Sequence, residues 1–273
     1  MGGIEVVVAD KQALKDFIEL PYSLYRDDPH WVPPLRIAVK DLLNRAKHPF
    51  YKNAEAEFFI ARRDGRILGR VAAIFDRAYN QFHHENAGFF GFFECVDDVA
   101  AAEALLTTAR RWVFERGARF LRGPVNPSTN YECGILIEGF DTDPMVMMTY
   151  NPPYYPVLMD RLGFRKAKDL LAYESTSEKV QLAKIERAAR RMLTKHGVHV
   201  RPIDMKNFAA EVERVWEVYR SALAANWGFV PMSKEEFFLM GKDMKQILKP
   251  ELVLIGEMGD RMIGFALALP DVN

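Results

Sequence analysis

Two stretches of this 273-residue chain carry the same order of signals, and that repetition constrains the fold more than any composition does. Ile4-Glu5-Val6-Val7-Val8-Ala9-Asp10 opens a strand-then-helix pattern that reaches Tyr25-Arg26. Val198-His199-Val200-Arg201-Pro202-Ile203-Asp204 opens a matching pattern that reaches Tyr219-Arg220, an offset of 194 residues from Tyr25 to Tyr219. A hairpin signal from Phe58 to Gly69 recurs from Leu252 to Gly264, with Gly69 and Gly264 offset by 195. A near-constant offset across several elements reads as a duplicated domain. In this register Asn273 corresponds to about Tyr79, so the expectation is one complete copy and one incomplete copy. The implied organisation is a domain over 1–176, a linker helix over 177–197 and the first half of a second domain over 198–273.

Hydrophobic residues make up 49% of the chain and charged residues 27%, a composition that excludes a disordered or membrane-embedded chain. Thirty-seven basic and 37 acidic side chains cancel, which argues against a nucleic-acid partner, since such proteins carry a basic excess. A local basic pocket for a phosphorylated ligand remains open. Cys95 and Cys133 are too few for a disulfide framework and read as reduced thiols of a cytoplasmic protein. The chain runs into a strand without a charged-then-apolar leader. No apolar run approaches the ~20 residues of a membrane span, so no membrane partner is expected.

Asp10 reads as the cap of a helix over roughly Lys11–Leu20 that Pro21 interrupts or ends. Leu35–Asn44 reads as a second helix, with Leu35, Val39, Leu42 and Leu43 on one face. Asp64-Gly65 between Glu57–Arg63 and Arg66–Asp76 is a strong hairpin signal. Ala87–Cys95 is a buried strand, and Asp97 and Asp98 open a helix that Gly117 stops. Strands are expected at Arg119–Pro124, Gly134–Glu138 and Leu170–Glu174, and a short helix at Tyr154–Arg161. A helix from Glu178 to His196, capped by Ser177, alternates Lys and Arg with Val180, Ile185, Ala188, Ala189 and Met192. Such a helix could meet a membrane or an acidic partner; its position between the copies favours a connector with a solvated charged face.

This order of elements resembles the GNAT superfamily of acyl-CoA-dependent N-acyltransferases. The resemblance is carried by the Asp64-Gly65 hairpin with Gly69, the strand Ala87–Cys95 leading into a long helix, and Asn151–Phe164, which ends Arg161-Leu162-Gly163-Phe164. It implies an α/β (α+β) fold with a mixed, mostly antiparallel twisted sheet flanked by helices, here duplicated with the second copy truncated. It also implies acyl-CoA or acetyl-CoA as cosubstrate and a small-molecule amine as acceptor. Where the family has a glycine-rich phosphate loop, this chain has Glu94-Cys95-Val96-Asp97-Asp98-Val99-Ala100, without a glycine pair and with three acids. Where the family's last helix often offers a Tyr, this chain has Met159. The expectation is a complete copy with an eroded cofactor site, and acyl-transfer features that would lie beyond Asn273.

The candidate residues follow. Glu94, at the end of a strand facing the expected cleft, is a candidate base if burial raises its pKa. Gly123–Gly134 is rich in uncharged polar groups. Asn126, Ser128, Asn130 and Tyr131 there could recognise a polar small molecule, or could cap the loop's own backbone. Asn151 is placed to cap the short helix, and Tyr154 and Tyr155 could wall a pocket or pack at its rim. His83-His84-Glu85 lacks the geometry of a metal cluster and reads as an exposed loop. Trp227, in Asn226–Pro231, could shape an acceptor site or pack a loop. Two functions follow: an acyl-CoA-dependent N-acyltransferase, or a non-catalytic scaffold or small-molecule-binding module. Unpaired strand edges in the incomplete copy would favour self-association.

Overall fold

The computed structural model describes residues 2–176 and 182–272. The chain forms two compact units, one of Met1–Lys168 with Trp227–Pro231 and the other of Asp169–Asn226 with Met232–Val272.

The first unit contains β1 (Glu5–Val8), α1 (Ala13–Leu24), α2 (Arg36–Leu42), β2 (Ala54–Arg63), β3 (Arg66–Asp76) and α3 (Arg77–His83). These are followed by β4 (Ala87–Cys95), α4 (Val99–Phe114), β5 (Phe120–Arg122), β6 (Val125–Asn126), β7 (Glu132–Cys133) and α5 (Tyr154–Arg161). The sheet runs β1-β2-β3-β4-β5, antiparallel throughout except for the parallel β4–β5 pair. The sheet is thus mixed, mostly antiparallel and flanked by helices, as the order of elements led one to expect. Strands β6 and β7 form a separate short ribbon.

Period-two alternation divides the core between the two faces of the sheet. Phe58, Ile60, Ala72 and Ile74 pack with Phe17, Leu43 and Phe50 on the α1 side, whereas Phe59, Ala61, Val71 and Ala73 pack with Leu105, Ala109 and Leu158 on the α4 side. Helix α4 buries Ala101, Ala102, Leu105, Leu106, Ala109 and Val113, so small residues bring its backbone close to the sheet. Complete burial of a side chain such as Phe17 contributes roughly 2–3 kcal/mol. The β2–β3 turn has Asp64 at φ +49° and Gly65 at φ +78°, the primed turn that an Asp-Gly pair suits.

The second unit contains α6 (Leu182–His196), β8 (Val198–Pro202), α7 (Phe208–Ala222), α8 (Lys234–Met244), β9 (Val253–Met258) and β10 (Arg261–Leu267). Its sheet runs β8-β9-β10, antiparallel throughout. The order strand, two helices, hairpin and its pairing are those of β1 to β3. Ser177 and Val180 lie outside the described residues.

Several local expectations are corrected. Helix α1 continues through Pro21 to Leu24. Leu35 is exposed rather than part of a buried face. Residues 134–138 form no strand: Gly134 turns at φ +96°, and the Asn151 side chain takes both backbone groups of Leu136. Asn151 therefore does not cap α5, whose N-cap is Pro153. Residues 170–174 are exposed, form no strand and pair with none among the described residues. His83 is part of α3 and stacks on Tyr79 at 4.3 Å, so only His84 fits the exposed-loop expectation. Among the described residues no helix is long and apolar enough to cross a membrane, and no His, Cys, Asp and Glu group is placed to hold a metal.

Candidate functional site

A bulge in β4 determines where Glu94 points. Register with β3 pairs Ala72 with Gly91 but Arg70 with Glu94, and Phe92 sits at φ +47°. Beyond the bulge the alternation changes phase: Phe89 and Phe92 share the α1 face, and Phe90 and Phe93 the α4 face. Glu94 thus lies with Arg70 on the α1 face; unbroken alternation would put it on the α4 side.

Three elements converge on the Glu94 carboxylate. Tyr25, just past α1, donates its hydroxyl to Oε2 at 2.6 Å, and Tyr155 of α5 donates to the same oxygen at 2.8 Å. Arg70 Nη2 stands 3.7 Å from Oε1. Tyr155 Oη also accepts from Cys95 N at 2.8 Å, and Tyr154 donates to the Cys95 carbonyl at 2.7 Å. These bonds hold the end of β4 against α5. The Glu94 side chain keeps 15% of its surface exposed.

Burial raises the Glu94 carboxyl above its ordinary range, against the opposing pull of Arg70 and the two tyrosine hydroxyls. Burial likewise lowers the Arg70 guanidinium, with Glu94 opposing. The Tyr25 and Tyr155 phenols are pushed well up, first by burial and then by the Glu94 charge. All four shifts disfavour charge in a dry cluster. Arg70 Nε is buried without a hydrogen-bond partner.

Beside the cluster, Trp31 stacks on Tyr25 with centroids 5.0 Å apart and planes at 18°. Tyr150 donates to Asp28, with both carboxylate oxygens at 2.8 Å, and His30 Nδ1 is 2.8 Å from Asp143 Oδ1. The rigid Asp28–Pro34 loop and the irregular segment around Tyr150 are thereby tied together.

The polar loop after β5 is used internally. Gly123-Pro124 and Asn126-Pro127 are cis. Asn126 Oδ1 accepts at 2.6 Å from the Phe92 N–H that the bulge releases. A Cβ on Gly91 would sit 1.6 Å from the Val125 carbonyl oxygen, and one on Gly123 would sit 2.4 Å from that of Phe90. Segment 123–126 therefore lies against β4, occupying the space beside the bulge. Ser128 Oγ accepts from Asn130 N at 3.3 Å, and Tyr131 packs edge-on to His48 at 6.2 Å.

Three consecutive carbonyls of the Trp227–Pro231 segment also find partners in this unit. Thr129 Oγ1 donates to Gly228 O, His83 Nε2 lies 2.7 Å from Phe229 O, and Asn130 Nδ2 donates to Val230 O at 3.0 Å. Val230 is buried in the α1-side core. Trp227 is 42% exposed, with the Arg122 guanidinium 5.7 Å from its ring.

The α4 N-terminus is not free for a phosphate. Asp98 Oδ1 accepts from Ala101 N at 3.0 Å, and Arg63 donates to Oδ2 at 2.7 Å. The bond from Ala101 holds the Asp98 carboxyl below its ordinary range. The residue is a capping carboxylate, which occupies the place an anion would take. Met159 is buried in the α4-side core.

Of the sequence candidates, Glu94 and Tyr155 come together. Asn126, Ser128, Asn130 and Tyr131 line a neighbouring loop, Asn151 braces Leu136, and Trp227 lies beside Arg122. Tyr25 and Arg70 were missed. An arginine inside the apolar run Ile67–Phe75 is the signal that could have found Arg70, and Tyr25 carried none.

No family model matches the sequence. Protein YghO of Escherichia coli (strain K12) is 34% identical over 275 residues, covering 99% of this chain and 69% of that protein. The bacterial ceramide synthase of Caulobacter vibrioides (strain NA1000 / CB15N) is 36% identical over 263 residues, covering 95% and 68%. Among solved structures, the aminoglycoside acetyltransferase AAC(6')-Iy, in complex with a bisubstrate analog, matches 63% of this chain and 98% of its own. Its TM-score is 0.38 at 15% identity, too distant to bear on function.

Proposed function

Because this chain belongs to the family of Protein YghO and the bacterial ceramide synthase, we propose that it takes part in acyl-CoA-dependent transfer of an acyl group to an amine. The acceptor in this reading is a long-chain amino alcohol, the amine component of a ceramide. The supporting observation is the reach of the match: 36% identity across 95% of the chain runs through both units.

In such a transfer the amine nitrogen attacks the thioester carbonyl. A C–N bond forms, the C–S bond breaks, the thiolate leaves with the electron pair, and the nitrogen gives up a proton. Glu94 is suited to receive that proton. Its carboxyl is raised by burial, which brings a base nearer to working pH. Tyr25 and Tyr155 both hold Oε2, leaving Oε1 with only the more distant Arg70. Tyr25 and Tyr155 are positioning residues in this scheme.

One observation favours the alternative of a non-catalytic scaffold or small-molecule-binding module. Asp98 and Arg63 close the α4 N-terminus, so the first unit offers no seat there for the acyl-CoA pyrophosphate. The test is to incubate the chain with a long-chain acyl-CoA and a long-chain amino alcohol and to follow amide formation by mass spectrometry. The transfer reading expects amide formation that Glu94→Gln lowers by about 10²-fold or more, with acyl-CoA binding unchanged. Absence of amide formation supports the scaffold instead, whereas equal rates in the variant would leave the transfer standing and remove Glu94 from it.

A further inference from the structure

We propose that the exposed stretch 170–173 and helix α6 together attach this protein peripherally to an anionic lipid surface. The inference is independent of the acyl-transfer reading and replaces the sequence expectation of a solvated connector.

Charge is the first observation. The chain as a whole has no net charge, yet α6 carries Lys184, Arg187, Arg190, Arg191 and Lys195 against the single acid Glu186. Glu186 pairs with Arg190 at 3.5 Å, and the other four cations are exposed. At 100° per residue, Lys184, Arg187, Arg191 and Lys195 fall on one stripe of the helix, whereas Ile185 and Ala189 fall away from it on the other side. On that side Ile185 is 57% exposed, and Ala189 is exposed as well.

The second observation is the segment before the helix. Leu170 is 57% exposed, Leu171 72% and Tyr173 85%, on a stretch without helix or strand. Single exposed apolar side chains are ordinary. Three within four residues, shortly before a basic helix in which Ile185 is also exposed, match the two signals of interfacial binding. Leucine and isoleucine would enter the acyl boundary, Tyr173 would sit at headgroup level, and the cations would meet lipid phosphates. An acidic protein would satisfy the cations and leave Leu171 and Ile185 without a partner. At 15 residues α6 is about 22 Å long, so it would lie in the plane of the surface rather than cross it.

The experiment is flotation of the full chain with vesicles of phosphatidylcholine alone or mixed with phosphatidylglycerol. The chain should float with the mixed vesicles only, and high salt should release it. Neutralising two cations (Arg187→Gln with Arg191→Gln) should lower the partition coefficient about 30-fold. Leu170→Ser with Leu171→Ser should lower it with every charge retained. Hydrogen exchange at β9, in the same unit, checks that the variants stay folded. Independently, the indole introduced by Ile185→Trp in the otherwise native chain should shift its emission to the blue on mixed vesicles. Failure to float, partition of either double variant equal to that of the wild type, an unshifted emission of the Ile185→Trp chain, or retention on polyglutamate without vesicle binding would each overturn the proposal.

Discussion

Arg70 donates to the carbonyl oxygen of Phe17 at 2.6 Å, and that is the carbonyl for which Pro21 has no N–H. In an unbroken helix residue 21 would donate to residue 17. Proline cannot, and an interior proline usually ends or kinks the helix. Here a side chain from β3 supplies the missing donor, and α1 runs on to Leu24. That extra turn carries Tyr25 to Glu94, so the Arg70–Phe17 bond and the Glu94 cluster depend on one another.

Replacing Arg70 with Met should therefore remove two things, the donor to Phe17 and the cation beside a buried carboxylate. Losing one partner of a buried pair costs about 3–5 kcal/mol. Adding Pro21→Ala to Arg70→Met restores a backbone donor to Phe17 and should recover about 1 kcal/mol. Urea unfolding of the double-mutant cycle tests this. An equal effect of Pro21→Ala in both backgrounds would show that Arg70 and Pro21 are not coupled.

Tyr155→Phe should change the Glu94 titration in a defined direction. The Tyr155 hydroxyl stabilises the charged carboxylate, so its loss moves the Glu94 pKa further up. It also strips the Cys95 N–H of its acceptor, at a cost of about 1–3 kcal/mol. Tyr154→Phe loses only a bond to the Cys95 carbonyl and serves as the control. Carbon-13 carboxyl titration by NMR reads both variants. A Glu94 midpoint that falls or stays in Tyr155→Phe contradicts the assigned role of the hydroxyl.

What the sequence made legible was local. Asp64-Gly65 predicts its own turn because both residues tolerate positive φ, and the turn forms there. The bounds of β4 and α5 follow from apolar runs stopped by Asp97 and Gly163. What escaped was decided at long range. Pro21 reads as a stop because the compensating donor, Arg70, lies 53 residues from Phe17. Residues 134–138 read as a strand because their composition suits one, but Asn151 takes the Leu136 groups a ladder would use. Glu94 was legible as a charge ending an apolar strand. Its tyrosine partners, 69 and 61 positions away, were not legible as partners.

Asp76 makes the first unit less stable as pH rises through weakly acidic values. Its carboxyl is pushed up by burial from 3.8 to about 6, against the bonds it accepts from the Tyr79 and Ala78 N–H groups. A group raised in the folded state contributes fully below its unfolded pKa and loses that contribution as pH climbs through the folded one. The window is therefore pH 4 to 6, and a shift of this size corresponds to roughly 3 kcal/mol. Asp76→Asn keeps an acceptor for Tyr79 N and should remove the slope. Native-state hydrogen exchange at β3 across the window compares the two. The idea fails if the wild type and variant lose stability in parallel.

The second unit should respond to acid in the opposite sense. Arg201 bridges two carboxylates, with Glu211 oxygens 2.8 Å and Glu257 oxygens 2.9 Å from its guanidinium nitrogens. Arg214 adds a 2.8 Å contact to Glu257. The bonds from Arg201 and then Arg214 hold the Glu257 carboxyl down, from 4.5 to about 2. A lowered carboxylate contributes stability above its unfolded pKa and loses it as pH falls through the folded one. The loss should thus run from about pH 4.5 toward 2. Arg201→Met leaves the buried Glu211 carboxylate short of its main partner, at a cost of about 3–5 kcal/mol near neutrality. That cost should shrink as the Glu257 carboxyl protonates. Hydrogen exchange at β9 in wild type and variant, at pH 3 and pH 7, reads the difference. A penalty of equal size at both values would mean that Arg201 acts through packing of its methylenes rather than through its charge.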